Sequence, residues 1–298
     1  MSTGRPHTAA LSCPQRMQVP PIGVFDSGIG GLSVLQALLR ELPHERFVYL
    51  ADNAHAPYGE KTDSFVRQRS RQITEHLRTQ HHIKALVVAC NTATAAAVHE
   101  LRQAHPDLPL VGVEPALKPA AALSRTGHVG VMATRGTVAS DKFQRLLHSQ
   151  QEAAQFHVQA CNGLALAIEQ GTDPALHHAA SVRIGSLLRE HTQALGRFGQ
   201  GPGQIDTLVL GCTHYVFERE ALQALVGPDV QLVDTGDAVA RQTRRLLAAA
   251  HQLHAGPLPS DPSQRVQLLT TGDLPSLQAA AARWLGLPAH CCAHAGMA

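Results

Sequence analysis

The chain has 298 residues, of which 44% are hydrophobic, so it can form one large core or two domains of ordinary size. Its 25 basic and 23 acidic residues give a formal net charge of +2, and no basic stretch alternates with aromatics, so we expect no nucleic-acid partner. Apolar runs all fall short of the roughly 20 residues of a membrane helix, which predicts a soluble protein without a membrane partner.

The beginning of the chain predicts no structure of functional interest. Residues 1–20 lack the apolar stretch of a secretory signal, and we interpret them as a disordered leader that contains an idle Cys13. The other cysteines are Cys90, Cys161, Cys212, Cys291 and Cys292. Without a signal peptide, this spread favours free thiols and a cytoplasmic location over a disulfide framework.

Short β-branched strands alternate with long Ala/Leu-rich segments of helical character, which is the pattern of an α/β fold. In chain order the first four strands are PIGVFDSG, FVYLADN, ALVVACNT and LVGVEPA. The next four, HVGVMATRG, FHVQACNG, TLVLGCTH and QLVDTGD, match them in type and order. The repetition predicts two similar doubly wound α/β domains, related by a pseudo-two-fold axis, with an active site in the cleft between them.

The two sets of strands can be aligned residue by residue. The alignment pairs Gly23 with Gly130, Phe47 with Phe156, Leu86 with Leu208 and Leu110 with Gln231. The number of residues between paired positions has one large increase, between the second pair and the third, which the Gly-rich insert 196–204, a surface loop by composition, explains. We expect a first domain of residues 21–115 plus 232–298 and a second domain of residues 116–231.

A polar or reactive residue follows each of the eight predicted strands. These strand ends are Asp26, Asp52, Cys90, Glu114, Thr134, Cys161, Cys212 and Asp234. Ligands of parallel sheets bind beyond the carboxyl ends of the strands, so two such edges that face each other would form one cleft. Glu114 and Asp234 are then expected where the chain crosses between the domains.

Cys90 and Cys212 occupy equivalent turns between a strand and a helix. The partial positive charge of helix N-terminal amides favours a thiolate and would lower the pKa of either thiol. Two thiols on opposite sides of a substrate carbon suit a reaction in which one removes a proton and the other delivers one. The pair therefore predicts inversion of a stereocentre.

Other interpretations of these two cysteines remain open. Either one could be a small buried apolar residue, as free cysteines commonly are. Cys212 and His214 could ligate zinc, although no C-x-x-C motif accompanies them. A Cys–His nucleophile would use Cys212 and leave Cys90 idle.

Six motifs resemble those of glutamate racemase, a cofactor-independent enzyme of bacterial cell-wall synthesis in the aspartate/glutamate racemase superfamily. In order they are PIGVFDSGIGGLSVL, ADNAHAPYGEKT, VVACNTATA, GVEPALKPA, LVLGCTHY and LVDTGDAVA, and they run from about residue 22 to 247. The resemblance implies interconversion of L- and D-glutamate by two cysteines, without metal or cofactor, and a possible homodimer.

The resemblance also implies roles for individual residues. Cys90 would serve the D-enantiomer and Cys212 the L-enantiomer. Asp26 and His214 would assist the neighbouring thiols, and Glu169 would assist from the second domain. The implied substrate-binding residues are Asp26, Ser27, Tyr58, Gly59, Asn91, Thr92, Thr213 and His214.

Three features depart from this pattern or lie outside it. Asn162 and Val216 stand where the family commonly has proline, which puts the loop that positions Glu169 in question. The segment after about residue 256 carries no usable motif, so we expect Cys291, Cys292 and His294 to lie in a flexible tail. Two alternatives remain: a related racemase that acts on aspartate or another acid, and a non-catalytic zinc or redox protein.

Overall fold

The computed structural model describes residues 19–173, 175–257 and 259–297, and Cys13 lies outside these ranges. The described strands are β1 (Ile22–Asp26), β2 (Phe47–Ala51), β3 (Ala85–Val88), β4 (Leu110–Gly112), β5 (His128–Ala133), β6 (Gln155–Ala160), β7 (Thr207–Leu210), β8 (Gln231–Val233), β9 (Val266–Thr270) and β10 (Cys292–His294). They form two parallel sheets, in the spatial orders β10-β9-β2-β1-β3-β4 and β6-β5-β7-β8. Parallel sheets with interleaved helices confirm the predicted α/β class.

Helices pack on the faces of both sheets. The described helices are α1 (Leu32–Glu41), α2 (Asp63–His81), α3 (Asn91–Ala104), α4 (Leu117–Leu123), α5 (Arg135–Ala139), α6 (Asp141–His148), α7 (Leu164–Gln170), α8 (His177–Leu195), α9 (Arg219–Val226), α10 (Gly236–Ala249) and α11 (Leu274–Leu285). Several begin at side-chain caps, as α2 does where Thr62 accepts a hydrogen bond from the Phe65 N–H. No described helix is both long enough and apolar enough to cross a membrane.

The two sheets share one topology, which confirms the predicted repeat. Spatial order β2-β1-β3-β4 in the first sheet corresponds to β6-β5-β7-β8 in the second. The central strands β1, β3 and β7 are fully buried, and their residues are apolar except for Asp26 at the end of β1 and Thr207 at the start of β7, as expected for strands covered on both faces.

One position in the sequence alignment of the repeat is wrong by a residue. Leu110 pairs with Leu86, whereas the residue that pairs with Leu208 is Leu232 rather than Gln231. The fourth strand of each set has three residues. So short an apolar run leaves its register undetermined until the neighbouring strand fixes it.

Residues 259–297 contain strands and a helix, so the predicted flexible tail is wrong. Strand β9 pairs with β2 and β10 pairs with β9, which extends the first sheet by two parallel strands. Cys291 and Cys292 are only 5% and 8% exposed, and helix α11 buries Leu277 against the same core. The cysteines serve as small buried residues within this core.

We propose that the chain divides along the two sheets, close to the expected bounds of residues 21–115 plus 232–298 and residues 116–231. Glu114 follows β4 of the first sheet and precedes α4, which packs on the second sheet. Asp234 follows β8, and the next helix, α10, packs against α1 of the first domain. Strand β8 ends at Val233, so the return crossing begins two residues later than the expected boundary.

Candidate active site

Cys90 lies at the junction of β3 and α3, at the carboxyl end of a buried strand. Its sulfur caps the helix by accepting a hydrogen bond from the backbone N–H of Ala93 at 3.5 Å. The thiol also donates toward the hydroxyl oxygen of Ser27 at 3.9 Å, and the residue is 6% exposed. The sequence therefore places a buried thiol at a helix N-terminus.

The protonation of Cys90 differs from the expectation drawn from that helix. Burial raises the pKa of the thiol well above its usual value, and the negative charge of Asp26 raises it further. These two effects outweigh the N–H of Ala93, which lowers the pKa. The predicted activation is thus wrong for Cys90: the thiol keeps its proton, because desolvation and a neighbouring anion oppose a second negative charge.

Asp26 ends β1 and is completely buried. Its carboxylate accepts hydrogen bonds from the N–H groups of Ser27 at 2.6 Å and Gly31 at 2.5 Å, at the entrance to α1. It also accepts a hydrogen bond from the Thr213 hydroxyl at 3.2 Å. Burial raises the pKa of Asp26, although the nearby positive charge of His214 opposes the change. The residue therefore connects the carboxyl ends of the two sheets.

Cys212 lies beyond the end of β7, at the position equivalent to Cys90, and is also 6% exposed. Its sulfur lies 3.7 Å from Nδ1 of His214, whose Nε2 lies 2.6 Å from a carboxylate oxygen of Glu169. Burial would lower the pKa of His214, but hydrogen bonds to Cys212 and Glu169 together raise it well above its usual value. A protonated imidazole is thus held between a sulfur and a carboxylate.

Glu169 projects from α7 of the second domain into this group of residues. Besides His214, its carboxylate accepts hydrogen bonds from the Ile29 N–H at 3.1 and 3.2 Å and from the Asn53 side-chain amide. A side chain at Gly28 would meet the carboxylate at 2.3 Å, so this glycine permits the approach. The turn with Asn162 in place of proline still brings Glu169 to His214.

The predicted substrate-binding residues lie around the two cysteines. Asn91 and Thr92 form the buried N-terminus of α3, and no group in the described structure bonds to the side-chain oxygen of Asn91. The Tyr58 hydroxyl donates to Asp52 at 2.5 Å, within a cluster that also contains Arg69. The proton of the Tyr58 hydroxyl is used in this contact and is therefore not available to a substrate in this arrangement.

Gly59 and Thr92 mark where the two domains approach each other. A side chain at Gly59 would come within 2.7 Å of the Thr134 side chain in the second domain. The Thr92 hydroxyl lies 3.0 Å from the Thr134 hydroxyl and 3.5 Å from that of Thr137. The domains are therefore in direct contact at two of the residues that the family resemblance assigns to substrate binding.

The sequence pattern of the Asp/Glu/hydantoin racemase family matches residues 22–243. The chain belongs to this family. The racemase is 48% identical to glutamate racemase of Ectopseudomonas mendocina over 266 residues, covering 89% of this chain and 95% of that protein. It is 51% identical to glutamate racemase of Pseudomonas entomophila over 239 residues, which cover 80% of this chain and 85% of that protein. The resemblance predicted from the sequence motifs is confirmed.

Solved structures give the same assignment. Glutamate racemase isoform RacE1 from Bacillus anthracis superposes with a TM-score of 0.74 at 31% identity, covering 90% of this chain and 94% of that chain. Escherichia coli glutamate racemase, in complex with L-glutamate and the activator UDP-MurNAc-Ala, gives a TM-score of 0.72 at 31% identity, covering 89% and 95%. The racemase therefore shares both sequence and fold with glutamate racemases.

Some residues of the racemase site were not singled out from the sequence. Asn53 directly follows the strand-end residue Asp52, and Thr137 lies one helical turn after Thr134. Their positions next to strand ends were the available signal, but their contacts cross between distant segments. In the described part of the chain, no three His, Cys, Asp or Glu residues are grouped so that they could hold a metal ion.

Proposed function

We propose that this racemase interconverts L- and D-glutamate with Cys90 and Cys212 as its two acid/base groups and without a cofactor. The observation that carries the proposal is the equivalent placement of the two thiols. Each is buried beyond the end of an equivalent strand, and each has its own ionisable neighbour. The glutamate racemases at about half sequence identity support glutamate as the substrate.

In the direction from L- to D-glutamate, the Cys212 thiolate takes the α-proton. The C–H bond breaks, an S–H bond forms, and the electron pair remains on the α-carbon. The Cys90 thiol then delivers its proton to the opposite face and becomes the thiolate. The reverse reaction exchanges the two roles, so the assignment of Cys212 to the L-enantiomer and Cys90 to the D-enantiomer follows the family resemblance.

The electrostatic surroundings suit these roles in the ligand-free enzyme. Burial raises the pKa of the Cys90 thiol and the negative charge of Asp26 raises it further, which makes this thiol a proton donor. His214, protonated and held by Glu169, can stabilise negative charge on Cys212, which makes this sulfur a base. The free enzyme, with Cys212 as the base and Cys90 as the acid, is therefore in the state that reacts with L-glutamate. One turnover moves the proton to Cys212 and leaves Cys90 as the thiolate, which is the state that reacts with D-glutamate.

We assign substrate binding to Asp26, Ser27, Tyr58, Gly59, Asn91, Thr92, Thr213 and His214. The free side-chain oxygen of Asn91 is a buried acceptor that can receive a donor such as the substrate ammonium. Closure of the domains would exclude water, which could otherwise reprotonate the carbanion from either face. Opening and closing of the cleft would then accompany each turnover.

We place the reaction in the cytoplasm, where it would supply D-glutamate for peptidoglycan and so affect cell shape. This placement follows the glutamate racemase resemblance and the free thiols of the described cysteines. A homodimer remains a prediction, which light scattering on the purified protein would test.

The test of this function is a substrate panel without added cofactor. L-glutamate should lose its circular dichroism, whereas L-aspartate and other L-amino acids should keep theirs. Racemisation of aspartate at the rate of glutamate would contradict the substrate assignment. Full glutamate activity in Cys90→Ala or Cys212→Ala would overturn the two-thiol mechanism.

A further inference from the structure

The Glu169 carboxylate is the link between the second domain and the Cys212 pair. It has to stay in line with His214, where the Nε2 to oxygen distance is 2.6 Å. The first domain supplies the donors that hold it there, namely the Ile29 N–H and the side-chain amide of Asn53. Backbone geometry fixes the Ile29 donor, whereas an asparagine amide can rotate and present either oxygen or nitrogen.

Thr270 determines which way the Asn53 amide points. Its hydroxyl donates to the side-chain oxygen of Asn53 at 3.0 Å and accepts a hydrogen bond from the Gly272 N–H at 3.0 Å. The hydroxyl has a single proton, and the Gly272 contact leaves that proton free for Asn53. With its oxygen bound to Thr270, the amide can direct only its NH₂ group toward Glu169.

Gly272 allows this arrangement to form. A side chain there would meet the Asn53 side chain at 2.8 Å and the Ala54 nitrogen at 2.9 Å. Thr270 ends β9 and is completely buried, so the C-terminal part of the first sheet reaches the site here. A chain of hydrogen-bonded side chains therefore runs from Thr270 to Cys212. Its intermediate members are Asn53, Glu169 and His214.

We propose that Asn53 and Thr270 are positioning residues for the Cys212 side of the reaction, acting through Glu169. This inference deepens the proposed racemase function and rests on it. Asn53 holds the carboxylate against His214, and Thr270 keeps the Asn53 amide in the orientation that can do so. Neither side chain exchanges a proton with the substrate.

Asn53→Ala removes one donor to a buried anion, so Glu169 is held less firmly and stabilises the His214 imidazolium less well. We expect kcat/KM to fall about tenfold. Thr270→Val frees the Asn53 amide to rotate, and we expect a loss of about threefold. Thr270→Ser keeps the hydroxyl and should retain most of the activity.

Rates measured in the two directions cannot distinguish this positioning role from a general disturbance of the folded structure. Enantiomers have equal free energy in water, so the equilibrium constant is unity and kcat/KM must fall equally for both. The separate readout is the rate of iodoacetamide alkylation of each cysteine against pH in the substrate-free enzyme, followed by mass spectrometry of the peptides. In Asn53→Ala, the Cys212 profile should move to higher pH while the Cys90 profile stays in place.

The matched control is Thr74→Val, the same change at another completely buried threonine, whose hydroxyl bonds to the Ser70 carbonyl within α2. It should leave both alkylation profiles and the activity unchanged. Wild-type kcat/KM in both Asn53→Ala and Thr270→Val, or equal shifts of the two cysteine profiles, would overturn the inference. Absence of glutamate racemisation by the wild type would instead overturn the proposed function, and the alkylation profiles would still decide the positioning role.

Discussion

Replacing Glu169 with glutamine tests how much of the catalysis depends on the carboxylate behind His214. Glutamine has nearly the same shape, but it has one acceptor oxygen and no charge. If that oxygen faces the His214 Nε2, the amide NH₂ faces the donor group of Asn53. The charge-assisted hydrogen bond from Asn53 is then lost, and the two NH₂ groups of Asn53 and the new glutamine face each other.

A hydrogen bond to a charged group contributes about 1.5–3 kcal/mol, which corresponds to roughly 10- to 160-fold in rate. We expect kcat/KM of Glu169→Gln to fall by about that factor for both enantiomers. A polarimetric assay from each pure enantiomer measures it. Glu114→Gln is the control, because the Glu114 to Lys142 ion pair, at 2.8 Å, is half-exposed and should contribute little. Activity of Glu169→Gln within twofold of the wild type would refute the reasoning.

The same variant should change how stability depends on pH. The folded-state pKa of His214 is raised above its ordinary value of 6.5, so folding binds its proton more tightly. That contribution to stability is fully present below pH 6.5 and is lost as the pH rises through the folded pKa. Urea midpoints measured over this range should decline less in Glu169→Gln than in the wild type. Parallel declines in both proteins would contradict the assignment of the charge to His214.

Further substitutions probe other parts of the account. Cys90→Ser should reduce racemisation by about 100- to 10,000-fold, measured by circular dichroism, because an alcohol is a much weaker acid than a thiol; a loss below tenfold would contradict its role. Gly59→Ala places a carbon 2.7 Å from the Thr134 side chain, so it should hinder domain closure and lower kcat/KM by about tenfold in steady-state assays. Unchanged kinetics would show that closure needs no close contact at Gly59. Deletion of residues 266–297 should abolish the cooperative thermal transition, because it removes two strands and α11, and a retained transition would mean that the sheet is stable without them.

The sequence was sufficient for the repeated part of the fold. Buried strands such as ALVV and TLVL are recognisable from composition alone, and the residues after them fall at one edge by the geometry of parallel sheets. The strand pattern therefore predicts the equivalent positions of Cys90 and Cys212. The identity of the substrate came from the family resemblance, because strand spacing carries no information about it.

Other features depend on contacts between distant segments and could not be predicted locally. Strand β10 has three residues and pairs only at the edge of the sheet, so its own sequence pattern is too short to be recognised. The helix N-terminus at Cys90 predicts a thiolate, but burial and the negative charge of Asp26 raise the pKa of the thiol instead. The contact between Asn53 and Glu169 joins two domains, and only the folded chain brings them together.

The central claim is that two thiols of this racemase exchange the α-proton of glutamate on opposite faces. The most direct test is incubation of L-glutamate with the purified enzyme in deuterated water, without added cofactor, followed by NMR and chiral analysis. We predict that the D-glutamate formed carries deuterium at the α-carbon, and that Cys90→Ala and Cys212→Ala each abolish its formation. D-glutamate that retains the original α-hydrogen, or that still forms at the wild-type rate in either variant, would contradict the claim.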